Sequence, residues 1–353
     1  MKPPSIKDIA RALGISIGTV DRALHGRSDV SPATRARVLK KAEELGYQPN
    51  IAARSLKLNR RLRIGVYFPQ QIASFFDALR AGVRAAAAAS TGVNVELVFR
   101  TFPRMDQGDV ELLKADVKET FDGILVTPGN PDHIGPVLNE IVRRGTPVVC
   151  VASDAPRTER LASVSTDAQI SGAIAAELFS RTITKSGQLA VFAGDLTTLD
   201  HAEKLRGFAA NLAVFAPHLS LLPAVESHET PSMAYRQACS LLARKPVPLG
   251  IYLSTANSIP VLKALEEKRL LGEVQLITTD LFSELLPYLE SGKVIATLYQ
   301  RPFAQGKTAL ELLLRFLLHS AAPEPVTRLA PHVILRSNLS LFTSYLQEPD
   351  EER

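Results

Sequence analysis

Ile6-Lys7-Asp8-Ile9-Ala10-Arg11-Ala12-Leu13-Gly14-Ile15-Ser16-Ile17-Gly18-Thr19-Val20-Asp21-Arg22-Ala23-Leu24 is the stretch that decides the N-terminal fold. Ile6, Ile9, Ala10 and Leu13 recur at helical spacing and predict a helix over Ile6–Leu13. Ser5 stands at its cap, with Asp8 three residues on. Gly14-Ile15 predicts a tight turn. Ser16 then caps a second helix, from Ile17 to about Leu24, with Val20 facing inward. Two helices joined by a short turn containing glycine form a helix-turn-helix. Ser31-Pro32, a cap followed by proline at the first helical position, opens a third helix to about Leu45. Val38, Leu39 and Ala42 are its expected inward residues, and Gly46 ends it.

Charge separates this segment from the rest. Residues 1–60 hold 12 Lys and Arg against 5 Asp and Glu, a net of +7 within a chain whose total is +5. The other 293 residues are therefore near neutral. A basic segment with its own fold predicts a polyanion partner for the N-terminus alone. In a helix-turn-helix the second helix enters the major groove. The residues placed to reach bases are Ile17, Gly18, Asp21 and Arg22, with His25 at the far end. Arg22 suits bidentate contact with guanine, and Ile17 suits a thymine methyl. Ser16, Thr19 and Ser31 can donate to phosphates. Asp21 either accepts from a cytosine amino group or pairs with a basic neighbour.

The whole chain has 353 residues, 46% of them apolar and 22% charged, which predicts a soluble globular protein of two or three domains. It has no apolar run of membrane-spanning length and no signal-peptide pattern after Met1. No membrane partner is expected, and the predicted location is the cytoplasm. Cys150 and Cys239 are far apart, without a Cys or His neighbour at metal-ligand spacing. No metal or cofactor is expected.

From Leu62 the pattern alternates strands and helices, in one series to about Ala152 and a second after Val164. Such alternation predicts parallel sheets covered by helices on both faces, in two lobes. Ligands of such sheets bind beyond the carboxyl ends of the strands. The loops at those ends hold Phe75 and Phe76, Asn130, Asp154, Asp195 leading to Lys204, Ser254, Asp280 and Gln300. Aromatic faces with carboxylates, amides and one cation suit a neutral polyol such as a sugar. Gly306-Lys307-Thr308 is not a phosphate loop, because Arg301 occupies the position of its first glycine. No nucleophile–base or zinc-protease motif occurs, so no enzyme is expected.

Gly14 to Leu24, Val30-Ser31-Pro32-Ala33-Thr34-Arg35, Leu45-Gly46-Tyr47-Gln48-Pro49-Asn50 and Ala53-Arg54-Ser55-Leu56 together resemble the lac/gal repressor family of bacterial transcription regulators. The likeness runs loosely over nearly the whole chain. It implies a small all-α helix-turn-helix domain joined to an α/β core of two doubly wound parallel-sheet lobes, like the type I periplasmic binding proteins. The expected boundaries are 1–48 for DNA binding, 49–60 for a hinge helix and linker, 61–345 for the effector-binding and dimerisation core, and 346–353 for an acidic tail. Within the core, 61–162 and 293–323 are expected in one lobe, 163–292 and 324–345 in the other.

The resemblance further implies a hinge helix carrying Asn50, Ala53, Arg54, Leu56 and Lys57, which folds on operator DNA. Leu56 would wedge into the minor groove and kink the site. By position, Phe75, Phe76, Asp154, Asp280 and Gln300 match pocket residues of the family. Lys204 stands where Arg is common, and Ser254 and Ala73 where Asn is common; these three substitutions imply a ligand other than a ribose-like pentose. Gly18 and Asp21 also depart from the usual residues and leave the operator sequence open. The tail carries no heptads, so a homodimer without a tetramerisation helix is expected. The reading is a ligand-responsive repressor that binds a pseudo-palindromic double-stranded operator. A sugar-transport binding protein and a small-molecule enzyme are the alternatives.

Overall fold

A computed structural model describes residues 6–24, 30–45 and 61–346. The Ser5 cap, His25, Gly46, the hinge residues Asn50, Ala53, Arg54, Leu56 and Lys57, and tail residues 347–353 lie outside the described residues, as does the side chain of Asp21. The chain divides into two compact units, 1–58 and 59–353.

The first unit contains α1 (Ile6–Leu13), α2 (Ile17–Leu24) and α3 (Pro32–Glu44). Ile9, Ala10, Val20, Ala23, Val38 and Ala42 form its core, with Leu13, Ile15 and Val30 packed against it. Helix α1 ends at Gly14, whose φ of +67° is costly for other residues. The Ile15 N–H reaches back to the Ala10 carbonyl at 3.1 Å and the Gly14 N–H to Arg11 at 3.4 Å. This paired termination reverses the chain and brings α2 across α1. Leu39 corrects the sequence expectation: it is 45% exposed. One turn's worth of side chains on a short helix suffices for so small a core, and Val38 and Ala42 already fill that stripe.

In the second unit, β1 (Arg61–Pro69), β2 (Asn94–Phe102), β3 (Gly123–Val126), β4 (Val148–Val151), β5 (Ala162–Thr166) and β12 (Val326–Leu329) form an all-parallel sheet in the order β12-β5-β4-β3-β1-β2. The second sheet runs β13-β11-β10-β9-β6-β7. Its strands are β6 (Gly187–Ala193), β7 (Leu219–Leu221), β9 (Gly250–Leu253), β10 (Gln275–Thr279), β11 (Ala296–Tyr299) and β13 (His332–Leu335). The two-residue strand β8 (Val225–Glu226) also pairs with β6, and β13 alone runs antiparallel.

Alternation along these strands explains their unbroken apolar runs. Leu62, Ile64, Val66, Leu125, Val149 and Val151 face helices Ala73–Ala89 and Pro302–His319. Tyr67, Ile124, Val126, Val148 and Cys150 face helix Pro131–Arg143 on the other side. The second sheet repeats the arrangement, with Phe192, Ile251 and Leu253 on one face and Val191, Tyr252 and Ile277 on the other. In each lobe two helices cross at paired glycines. A Cβ on Gly82 would lie 2.0 Å from the Phe303 carbonyl oxygen, and one on Gly306 2.1 Å from that of Leu79. Gly172 and Gly207 stand equally close to Lys204 and Gln169 backbone.

The lobe boundaries differ from the sequence expectation in three places. β5 (Ala162–Thr166) pairs with β4 in the first sheet, although the second lobe was expected from about residue 163. β11 joins the second sheet, although residues from 293 were expected in the first lobe. β12 pairs with β5 in the first sheet, although residues from 324 were expected in the second lobe. Which sheet a strand joins is a non-local choice of hydrogen-bonding neighbour, and local apolar pattern does not encode it.

Candidate functional site

On the first unit, α2 starts with its cap engaged. Ser16 Oγ accepts from the Thr19 N–H at 3.1 Å and lies 2.8 Å from Thr19 Oγ1. Ser31 Oγ accepts from the Thr34 N–H at 3.2 Å and donates to Thr34 Oγ1 at 2.9 Å. Each hydroxyl pair has one O–H to spare for a phosphate. Ile17 is 49% exposed, Gly18 is exposed, and Arg22 is half-buried one turn beyond. A Cβ on Gly18 would meet nothing nearer than 3.9 Å, with Arg22 Nη1 one of the atoms at that distance. Ser16, Ile17, Gly18, Thr19 and Arg22 thus share the start of one helix, with an exposed apolar residue where a folded protein normally presents polar ones.

In the second unit the strands' carboxyl ends converge on a cavity of about 470 Å³, its open mouth included. Residues from both sheets line it: Ile72, Phe75 and Phe76 after β1, Thr127 after β3 and Ser153 after β4. From the second sheet come Asp200, His201 and Lys204 after β6, Glu229 after β8, Thr255 after β9, Asp280 after β10 and Gln300 after β11. Both sheets reverse their strand order here, between β1 and β3 and between β6 and β9, where open α/β sheets leave a crevice. Ile72, Ala152 and Asp280, all lining residues, have positive φ (51°, 66° and 66°). Strained backbone of this kind concentrates at functional sites.

Phe75 and Phe76 stand edge to face with ring centroids 5.0 Å apart and present an apolar wall. The lining also carries a chain of charged hydrogen bonds. Lys204 Nζ, 1% exposed, donates to Asp200 Oδ2 at 2.6 Å and to Gln300 Oε1 at 2.7 Å. Gln300 Nε2 donates to Asp280 Oδ2 at 2.7 Å, and the Gln300 N–H to Asp280 Oδ1 at 3.0 Å. Burial pushes the Asp280 carboxyl up to about 6, against the opposing pull of Lys204 and the Gln300 hydrogen bonds. A second cluster joins Glu229 to Thr255 Oγ1 at 2.6 and 2.8 Å and to His201 Nε2 at 3.2 Å. Thr127 Oγ1, Ser153 Oγ and His201 Nδ1 are buried in the lining without a hydrogen-bond partner. Such atoms are what a ligand's hydroxyls satisfy.

Five of the eight expected effector residues meet here: Phe75, Phe76, Lys204, Asp280 and Gln300. Three do not. Asn130 caps helix Pro131–Arg143, its Oδ1 accepting from the Asp132 N–H at 3.0 Å. Asp154 binds Arg160 Nη2 at 2.6 Å, Ser163 Oγ at 3.1 Å and the Ala155 N–H at 2.7 Å. Ser254 is fully buried and donates to the Phe192 carbonyl at 3.0 Å. Each is a residue of the right loop whose side chain serves the fold, and the neighbours Ser153 and Thr255 face the cavity instead. Asp200 and His201 were legible in principle, because they lie one turn before Lys204 at the start of helix Leu199–Phe215. Glu229 was not, because β8 is too short to carry a strand pattern.

Asp195, Glu226 and His228 bring metal-ligand atoms within 4.8 Å of one another. Asp195 Oδ2 already meets His228 Nδ1 at 3.0 Å, and Glu226 Oε2 meets the Leu196 N–H at 2.8 Å. No described helix is long and apolar enough to cross a membrane.

Comparison with known proteins matches residues 5–50 to the bacterial regulatory proteins of the lacI family and residues 64–320 to the periplasmic binding protein domain. Catabolite control protein A of Priestia megaterium is 26% identical over 341 residues, covering 94% of this chain and 97% of that one. The HTH-type transcriptional repressor PurR of Aliivibrio fischeri is 26% identical over 356 residues, covering 95% and 98%. Among solved structures, GanP, a glucose-galactose binding protein from Geobacillus stearothermophilus, superposes with a TM-score of 0.73 at 24% identity. That match covers 79% of this chain and 99% of GanP, and at this identity it establishes the fold.

Proposed function

The chain belongs to the lacI family of bacterial regulatory proteins, with a periplasmic binding protein domain behind its helix-turn-helix region, and on that premise we propose that it is a repressor whose operator affinity is set by a sugar or related polyol in the core cavity. The observation that carries this reading is the cavity itself. Strand ends of both sheets line it together, so a ligand there contacts both lobes and stabilises one relative placement of them. Protein conformations that a ligand contacts unequally are shifted in population by it.

On the DNA side, Arg22 reads a guanine from the major groove, Ile17 meets a thymine methyl, and the Ser16–Thr19 and Ser31–Thr34 hydroxyl pairs each hold a phosphate with the one O–H they have to spare. One such helix per chain reads one half-site, so a homodimer on a pseudo-palindrome follows. The segment after Pro49, with Asn50, Ala53, Arg54, Leu56 and Lys57, links reader to core. Eight residues are too few for a helix to persist alone, which makes its folding available to be coupled to DNA. Effector and operator then alter each other's affinity by the same factor.

Two substitutions test the reading on DNA fragments selected by the protein itself. Arg22→Ala should lower specific affinity roughly tenfold or more while leaving non-specific, salt-dependent binding in place. Leu56→Ala should reduce operator bending in a circular-permutation assay. Unaltered selectivity in the first variant removes Arg22 from the groove, and an unaltered bend removes the wedge.

A further inference from the structure

We propose that the cavity selects a polyol carrying no anionic group, and that of two polyols of one shape it holds the one bearing an ammonium more tightly. The inference rests on the reading of the cavity as a polyol site.

The ionisable groups of the lining are Asp200, His201, Lys204, Glu229 and Asp280. Three carboxyls therefore face one ammonium and one imidazole. Lys204 is the one Lys or Arg among the described residues of the lining, and two of its three donors are already directed at Asp200 and Gln300. A phosphate or carboxylate is bound well by several charged donors, typically a guanidinium fork or a cluster of cations. One remaining ammonium proton does not supply that.

The start of helix Leu199–Phe215 also faces the cavity, at Thr198 and Asp200. A helix start attracts anions, but Asp200 places its own carboxylate in that first turn and answers the dipole from within. The remaining unpartnered atoms, Thr127 Oγ1, Ser153 Oγ and His201 Nδ1, suit hydroxyls.

Glu229 sharpens the argument. Its side chain is 5% exposed, and its described partners are Thr255 and His201. With Asp280 also in the lining, an added negative charge would meet two buried carboxyls, whereas an added positive charge would compensate them. In a site of reduced dielectric such charges separate affinities by about tenfold or more.

Isothermal titration of the full chain with a matched panel tests this. The panel is D-glucose, D-galactose and D-arabinose; glucosamine and galactosamine; the 6-phosphates of glucose and galactose; glucuronate and galacturonate; and adenine and hypoxanthine. The expected order is amine over its neutral parent by about tenfold, with no measurable binding of phosphates or uronates. Glu229→Gln should shrink the amine's advantage over its parent severalfold while leaving the parent's own affinity near its starting value, an effect that a merely structural role would not produce. A phosphate or uronate that binds as well as its neutral parent overturns the proposal and leaves the polyol site standing. A panel in which purines bind, or in which no sugar binds at all, overturns the polyol reading itself.

Discussion

Gln300 holds Asp280 twice, through its side-chain amide at 2.7 Å and its backbone N–H at 3.0 Å, and its Oε1 receives Lys204. Asp280 and Gln300 stand just after β10 and β11 and Lys204 in the second turn of the helix after β6, so one amide ties two strand ends of the second sheet to that helix. Asp280 sits at a φ of +66° to make this geometry. The stability of the cavity wall and its charge are therefore one problem.

The first prediction concerns pH. Burial raises the Asp280 carboxyl to about 6, well above its value in an unfolded chain. The folded state binds that proton more tightly, so this contribution to stability is complete below about pH 4 and is lost as pH rises through about 6. Asp280→Asn, which tolerates the left-handed backbone, should lose on the order of 2–3 kcal/mol less stability than the parent between pH 4 and 8. Urea unfolding of both proteins across that range reads the difference directly.

Removing the cation gives a second test with the same logic. Lys204→Met leaves Asp200 and Asp280 without their ammonium, at a cost of about 3–5 kcal/mol when both are ionised. The loss should be smaller at pH 5 than at pH 8, because Asp280 can neutralise itself by taking a proton. Equal losses at the two pH values would mean that Lys204 matters through packing.

The helix crossing in the first lobe makes a steric prediction. Gly82→Ala would put its Cβ 2.0 Å from the Phe303 carbonyl oxygen. Backbone cannot yield as a side-chain tip does, so the helices must separate, at about 3 kcal/mol. The urea midpoint should fall with the slope unchanged. Gly145→Ala is the control for φ alone, since Gly145 has φ +95° and open space around it.

Gly18 lies in the exposed first turn of α2 with room for a methyl group. Gly18→Ala should therefore stabilise the helix-turn-helix unit by about 0.5–1 kcal/mol. Amide hydrogen exchange over α1–α3 would show the gain as slower opening. A decrease in protection would mean that the backbone at Gly18 is held where a Cβ is not tolerated.

Much of this molecule was legible in its residues. The cap at Ser16, the turn at Gly14, the inward Val20 and the alternation from Leu62 onward are local signals, and the helices and strands follow them closely. Asn130-Pro131 shows the limit: the asparagine reads as a binding residue, yet its side chain caps the helix that starts at Pro131. A polar side chain at a strand end has two uses, and sequence does not say which one its rotamer serves.

The amino-acid sequence by itself determined the elements, the basic N-terminal reader and the loops from which a site would be drawn, because capping, periodicity and charge act over a few neighbouring residues. Only the tertiary structure decided that β5, β11 and β12 change lobes relative to expectation, that Asp154 and Ser254 turn into the fold, and that Glu229 and His201 turn into the cavity. Those outcomes depend on hydrogen-bonding partners far apart in the chain, as Gln300 is from Lys204, and no local pattern carries that information.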